Sequence, residues 1–150
     1  MLKCDEILKA FRDKDKLVGS IFAEPVDPIA LGIPTYPQII TNPMDLGTIQ
    51  AKMDAEEIST VDEFAQLMRL VFENALKFNA DRTSPVHQSA KNFLSMFNSK
   101  IADVERVDKA RKLTKEEIRD AKRKEKEAEE EAAEEVDAAQ TELSKSLDDS

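Results

Sequence analysis

Seven phenylalanines and one tyrosine supply all the aromatic surface of this 150-residue chain, and all eight lie between Phe11 and Phe97. Residues 98–150 hold none, so a hydrophobic core must be built from the first two thirds of the sequence. Only 3 glycines are present. That scarcity argues against turn-rich β-sandwiches and against nucleotide folds that need a glycine loop. A helical chain with one domain and a tail fits the length.

Four segments carry helical periodicity. Leu2 to Val18 places Ile7, Leu8, Phe11 and Val18 at spacings of three, four and seven, an amphipathic stripe. Asp45 can cap a short helix from Leu46 to about Asp54, with Leu46, Ile49 and Met53 on one side. Thr60-Val61-Asp62-Glu63 reads as a capping box that opens a longer helix, in which Phe64, Leu67, Met68, Val71, Phe72, Ala75 and Leu76 recur at three and four. Ser84-Pro85 supplies a cap and a proline at the first helical position, ahead of Val86, Ala90, Phe93, Leu94, Phe97 and Ile101. Each helix is marginal alone; together their stripes can enclose one core as a four-helix bundle.

The connection from Ser20 to Pro43 does not belong to a plain bundle. It carries five of the six prolines together with Ile21, Phe22, Val26, Ile29, Leu31, Ile33, Tyr36, Ile39 and Ile40, which is too apolar for disorder. A loop this long is usually functional. The expectation is a packed, irregular lid, with a ligand cleft between it and the helix ends.

Beyond about Val107 the composition changes. Residues 110–150 hold 9 basic and 14 acidic side chains, and Thr114-Lys115-Glu116-Glu117 offers another capping box. Val136, Leu143 and Leu147 alone sit at heptad-like positions, so the reading is a solvated helix or disordered extension. The chain as a whole is at −9, which repels nucleic acid and attracts basic partners. A single cysteine, Cys4, allows no intramolecular disulfide and no cysteine-rich zinc site, and fits a reducing compartment. No membrane span or secretion signal is visible, so a soluble intracellular protein is expected.

The run Phe22-Ala23-Glu24-Pro25-Val26-Asp27, then Leu31, Pro34-Thr35-Tyr36, Ile39-Ile40 and Pro43-Met44-Asp45-Leu46-Gly47-Thr48-Ile49, resembles the bromodomain family. The downstream half agrees: Phe64, Asn74-Ala75-Leu76-Lys77-Phe78-Asn79, Val86 four residues before Ala90, and Phe97. The resemblance covers about residues 2–105, several motifs in order at near-family spacing. It implies an all-α fold, a left-handed four-helix bundle over residues 1–108 with a long packed first loop, followed by a charged acidic tail over 109–150. It also implies an acetyl-lysine pocket, and hence a non-enzymatic reader of acetylated lysine peptides, histone tails above all, working in the nucleus beside other chromatin-complex proteins in transcription regulation. No cofactor, metal, direct nucleic-acid contact or membrane is expected.

Residue by residue, the resemblance places Asn79 where the side-chain amide donates to the acetyl carbonyl, and Tyr36 where the tyrosine reaches that carbonyl through a water. Phe22 and Val26 look like the floor and wall for the acetyl methyl, Leu31 and Ile33 like the apolar rim, and Val86 like the gatekeeper at the entrance. Ala75 and Phe78 complete the lining from the helix that ends at Asn79. The family's frequent Trp-Pro-Phe shelf is here Ser20-Ile21-Phe22, so contacts beyond the acetyl group should be weaker. Thr35 stands where aspartate is common, and Phe78, where tyrosine often precedes the asparagine, removes a hydroxyl that would organise pocket water.

The chemistry is coherent without the name. An acetylated lysine is an uncharged amide on an aliphatic stem, suited to an apolar slot with one or two directed donors, which Asn and Tyr supply. Unmodified lysine offers no carbonyl and would strand an ammonium. Other readings stay open for individual residues: Asn79 as a left-handed helix cap, Tyr36 as a half-buried loop residue, Phe22, Val26, Leu31 and Ile33 as plugs of the bundle, His87 as a surface or rim residue, and Cys4 as an inert thiol. Lys122-Arg123-Lys124-Glu125-Lys126 reads as a solvated face more readily than as an import signal. A rival from another class is a structural helical adaptor assembling through the charged C-terminal helix. An enzyme finds no support, since no nucleophile with base, metal set or phosphate loop is present.

Overall fold

A computed structural model describes residues 2–148, with the side chains of residues 147 and 148 outside the description; the seam position assigned to Leu147 therefore lies outside the described residues. Five helices follow in order, and no strand occurs among the described residues: α1 (Leu2–Leu17), α2 (Tyr36–Ile39), α3 (Leu46–Asp54), α4 (Val61–Phe78) and α5 (Pro85–Asp148). The chain divides into two compact units, one ending at Asp108 and the other starting at Lys109.

The first unit is a bundle of α1, α3, α4 and the start of α5, with α2 lying in the first loop. Its core is aromatic at the centre. The Phe11 ring meets Phe72 at 5.9 Å, Phe93 at 5.7 Å and Phe97 at 5.9 Å, the last two edge-on, the arrangement that ring quadrupoles favour. Leu8, Leu46, Ile49, Met68 and Ile101 close around them, fully buried. Arg69 binds α4 to α5, donating to Asn98 Oδ1 at 3.0 Å and Glu105 Oε1 at 3.1 Å while its guanidinium lies over Phe97.

Two caps form where the sequence places them, whereas the box read at Thr114 does not, because Thr114 lies inside α5 and its Oγ1 donates to Ala110 O at 2.9 Å. Asp45 accepts from Thr48 N at 2.8 Å to start α3, and Thr60 Oγ1 accepts from Glu63 N at 3.1 Å to start α4. Glu63 reaches back to Ser59 N rather than to Thr60 N, so the reciprocal half of the box is shifted by one residue. At the end of α1 the sequence reading overshoots. Val18 is 41% exposed, because the chain leaves the helix through Gly19 and Ser20, both at positive φ (101° and 56°). Asp15 O collects the freed N–H groups of Val18 and Ser20.

Asp15 is the residue that the sequence reading passed over. It lies on the buried stripe of α1, and its Oδ1 accepts from Phe22 N at 3.0 Å, tying the first loop to α1. Its Oδ2 is buried with no hydrogen-bond partner among the described residues. Burial pushes the Asp15 carboxyl above its usual range, against the pull of the Phe22 and Ile21 N–H groups. A raised acid binds more protons folded than unfolded, so its contribution to stability is greatest below the ordinary carboxylate pKa and falls as pH rises through the raised value. Asp15→Asn keeps an acceptor for Phe22 and cannot ionise. Its thermal midpoint is expected to gain on the wild type as pH rises from about 4 towards neutrality; midpoint curves that stay parallel across that range would remove Asp15 as the cause.

The second unit is helical through to Asp148, where the sequence left helix or disorder open. Every side chain over residues 109–146 is exposed. The buried core lies wholly upstream, between Cys4 and Ile101. Deleting residues 110–150 is therefore expected to leave the thermal midpoint of the body nearly unchanged, whereas a drop of several degrees, equivalent to about 1 kcal/mol, would show that the tail contributes to the core.

Candidate functional site

The loop from Ser20 to Pro43 is less irregular and less packed than its composition suggests. Asp27 Oδ1 accepts from Ile29 N at 3.1 Å and Ala30 N at 3.2 Å, and Ile33 N reaches Pro28 O at 2.8 Å, which folds the middle of the loop on itself. A helical turn, α2, follows. The loop is fixed at both ends: Leu46 N and Gly47 N donate to Phe22 O and Ala23 O at 2.8 and 3.0 Å, and Asn74 Nδ2 donates to Asn42 O at 2.9 Å. Gly47 permits the approach to Ala23, since a Cβ there would lie 2.5 Å from Ala23 O. Phe22, Tyr36 and Ile40 are buried, whereas Ile29 is 92% and Leu31 63% exposed. Local turns satisfy the loop's backbone without bringing those two side chains inward, leaving an apolar rim in solvent.

Asn79 is the C-cap residue of α4, with φ −99° and ψ 63°. It does not occupy the left-handed region that the capping reading assumed, but it does cap the helix through its side chain. Its backbone N and its side-chain Nδ2 both donate to Ala75 O, at 2.9 and 3.0 Å, which orients the amide at the helix end. Its carbonyl lies 2.7 Å from His87 Nδ1. His87 is half-buried and thus more than a surface residue: it joins the end of α4 to the start of α5. The intervening loop is held by Asp81, which accepts from Thr83 N and Oγ1 at 2.9 and 2.7 Å; those bonds, the side-chain one foremost, hold its carboxyl below the usual range.

Tyr36 packs edge-on against Phe78 with centroids 4.9 Å apart, which seats α2 on the end of α4. Burial pushes its phenol up, keeping it a neutral hydroxyl. Phe22 meets Phe72 edge-on and Phe93 at a tilt, both with centroids 5.3 Å apart. It is therefore core as much as site, which is what its alternative reading as a plug described. Val26, Ile33, Ala75 and Val86 are half-buried. The geometry thus joins Tyr36 to Phe78 and Asn79 to Ala75 by direct contact and anchors Phe22 in the bundle against Phe72 and Phe93, while Leu31 stands out in solvent. Ser20 is exposed and left-handed, a backbone conformation that a bulky residue restoring the shelf would also have to adopt.

The neighbouring cavity, about 760 Å³, is lined by Leu76, Arg82, His87, Gln88, Lys91 and Asn92. His87 is the one residue it shares with the Asn79 contact. Cys4 is buried, and burial first, then Asp5 and Asp108, push its thiol up, which suits an inert residue. Among the described residues no three His, Cys, Asp or Glu side chains gather to hold a metal, and no helix is long and apolar enough to cross a membrane.

The Bromodomain family profile matches residues 4–92. This chain belongs to the bromodomain family. Among its relatives, an ankyrin repeat, bromo and BTB domain-containing protein of Dictyostelium discoideum is 50% identical over 90 residues, covering 60% of this chain and 11% of that protein. The SWR1 complex bromodomain subunit bdf1 of Schizosaccharomyces pombe is 36% identical over 98 residues, covering 65% and 17%. The chain thus spans less than a fifth of the length of either. Among solved structures, the second bromodomain of Candida albicans Bdf1, bound to an imidazopyridine, superposes with a TM-score of 0.60 at 35% identity, covering 65% of this chain and 92% of that one. The all-α four-helix bundle expected from the motifs is the bromodomain fold.

Proposed function

We propose that the bromodomain of this chain, over residues 1–108, is an acetyl-lysine reader and that its ligands are acetylated histone tails. The observation that carries the reading is the Asn79 amide. It has two N–H donors; Ala75 O takes one, and the other is available to an acceptor lying over the end of α4. By the family resemblance, an acetyl carbonyl bonded there turns its methyl towards Phe22 and Val26 and its stem along Ile33, Leu31 and Val86, with Tyr36, Ala75 and Phe78 closing the lining. Lysine without the acetyl group leaves the donor unpaired and loses its own hydration, two costs that add.

Family membership supports a binding module rather than an enzyme. The SWR1 complex named for one relative supports a nuclear setting in chromatin, among other complex subunits. The excess of acid over base suits ligands rich in lysine and arginine.

Calorimetry with matched histone-tail peptides tests the proposal. Acetylated peptides are expected to bind with a dissociation constant of roughly 10 µM to 1 mM, since one acetyl-lysine buries few atoms and association costs must be offset. Equal binding of acetylated and unmodified peptides would overturn it.

A further inference from the structure

The second unit combines two patterns that share one centre. Over residues 109–126 there are nine basic and four acidic residues; over 127–148 there are nine acidic and one basic. The sign of the helix reverses at residue 127. One pair of its exposed apolar residues shares that centre, while Leu113 lies off the face that the pair defines. Ile118 and Val136, 50% and 58% exposed, lie nine residues before and nine after residue 127. They are also about five whole turns apart, so they share one face of α5, with Leu143 about two turns further along it. Alanines 121, 132 and 139 flank that face, keeping it narrow enough for a second helix to approach.

We propose that this face pairs with a second copy of itself, antiparallel, with the symmetry axis near residue 127. In that register Ile118 of one chain meets Val136 of its partner, and the contact occurs twice. One flank of the seam carries Lys115, Arg119, Lys122 and Lys126 before the centre and Glu129 and Asp137 after it. Antiparallel pairing lays each set of bases against the other chain's acids; parallel pairing stacks bases on bases and acids on acids. Charge thus selects both the partner and the direction. Glu125, which interrupts the apolar face near its middle and in this register comes close to Glu129 of the second copy, weakens the pairing, so it is reversible. The inference is independent of the acetyl-lysine reading. Where both hold, a dimer carries two pockets and gains avidity for doubly marked tails.

Sedimentation equilibrium of the full chain is expected to give the mass of two chains at low salt and to return towards one chain at about 0.5 M salt, where screening acts within about 4 Å. Direction is read separately by oxidising single-cysteine variants, the native Cys4 being buried. A mixture of Ile118→Cys and Val136→Cys is expected to cross-link, and each variant alone is not. One chain's mass at every salt concentration, or cross-linking of Ile118→Cys with itself, would overturn the proposal.

Discussion

Asn79→Ala is expected to weaken binding of an acetylated peptide by about 1–3 kcal/mol, roughly 5- to 150-fold, while leaving the fold in place. The cost arises because the acetyl carbonyl still sheds its water on entering the apolar slot but finds no donor there. Asn79 is half-buried and its side chain makes one local bond, to Ala75 O, so its removal touches the pocket more than the core. Asn79→Asp separates shape from chemistry: it keeps the side chain's size, removes both N–H donors and sets an anion beside the Ala75 carbonyl. It should bind no better than the alanine variant. Tyr36→Phe is expected to cost less, since a water can re-form part of the network. Titration calorimetry on variants with unchanged circular dichroism decides the matter, and wild-type affinity in Asn79→Ala would remove Asn79 from the site.

Phe22→Ala should produce the largest loss of stability, about 3–5 kcal/mol, because the ring packs against the touching pair Phe72 and Phe93 and leaves a cavity that the bundle cannot close after its removal. For a body of about a hundred residues that corresponds to a fall in thermal midpoint of more than about 10 °C. The consequence extends to the pocket. Phe22 N is bound to Asp15 and Phe22 O to Leu46 N, so the residue pins the start of the loop to α1 and to α3 together. Chemical denaturation of the variant measures the loss. A change under about 1 kcal/mol would show that the ring is a pocket surface alone and does not hold the bundle.

How much of this was legible in the sequence differs from residue to residue. The helices α3 and α4 begin at Asp45 and Thr60 because a side-chain oxygen three residues before a backbone N–H is a local relation, readable from spacing. The stripe of Phe64, Met68, Val71 and Phe72 is legible for the same reason, since helical periodicity alone aligns those residues. Family motifs carried the rest of the fold. The roles of Asp15 and His87 were not legible in that way. Asp15 falls four residues after Phe11 on the buried face of α1, which was a signal available to a reader of the stripe, but its partner Phe22 becomes a neighbour only when the chain reverses at Gly19 and Ser20. His87 meets Asn79 across a turn whose shape depends on Asp81 and Thr83. The lid shows the same division from the other side. Its apolar content called for burial, yet Asp27 and Pro28 close local turns that leave Ile29 and Leu31 in solvent. Periodicity and caps act within a few residues, so the sequence by itself determined the four bundle helices and their inward faces, but not α2 or the unbroken run of α5. Which loop groups are buried, and which donor is left facing a ligand, depends on contacts between distant segments, and only the tertiary structure decided them.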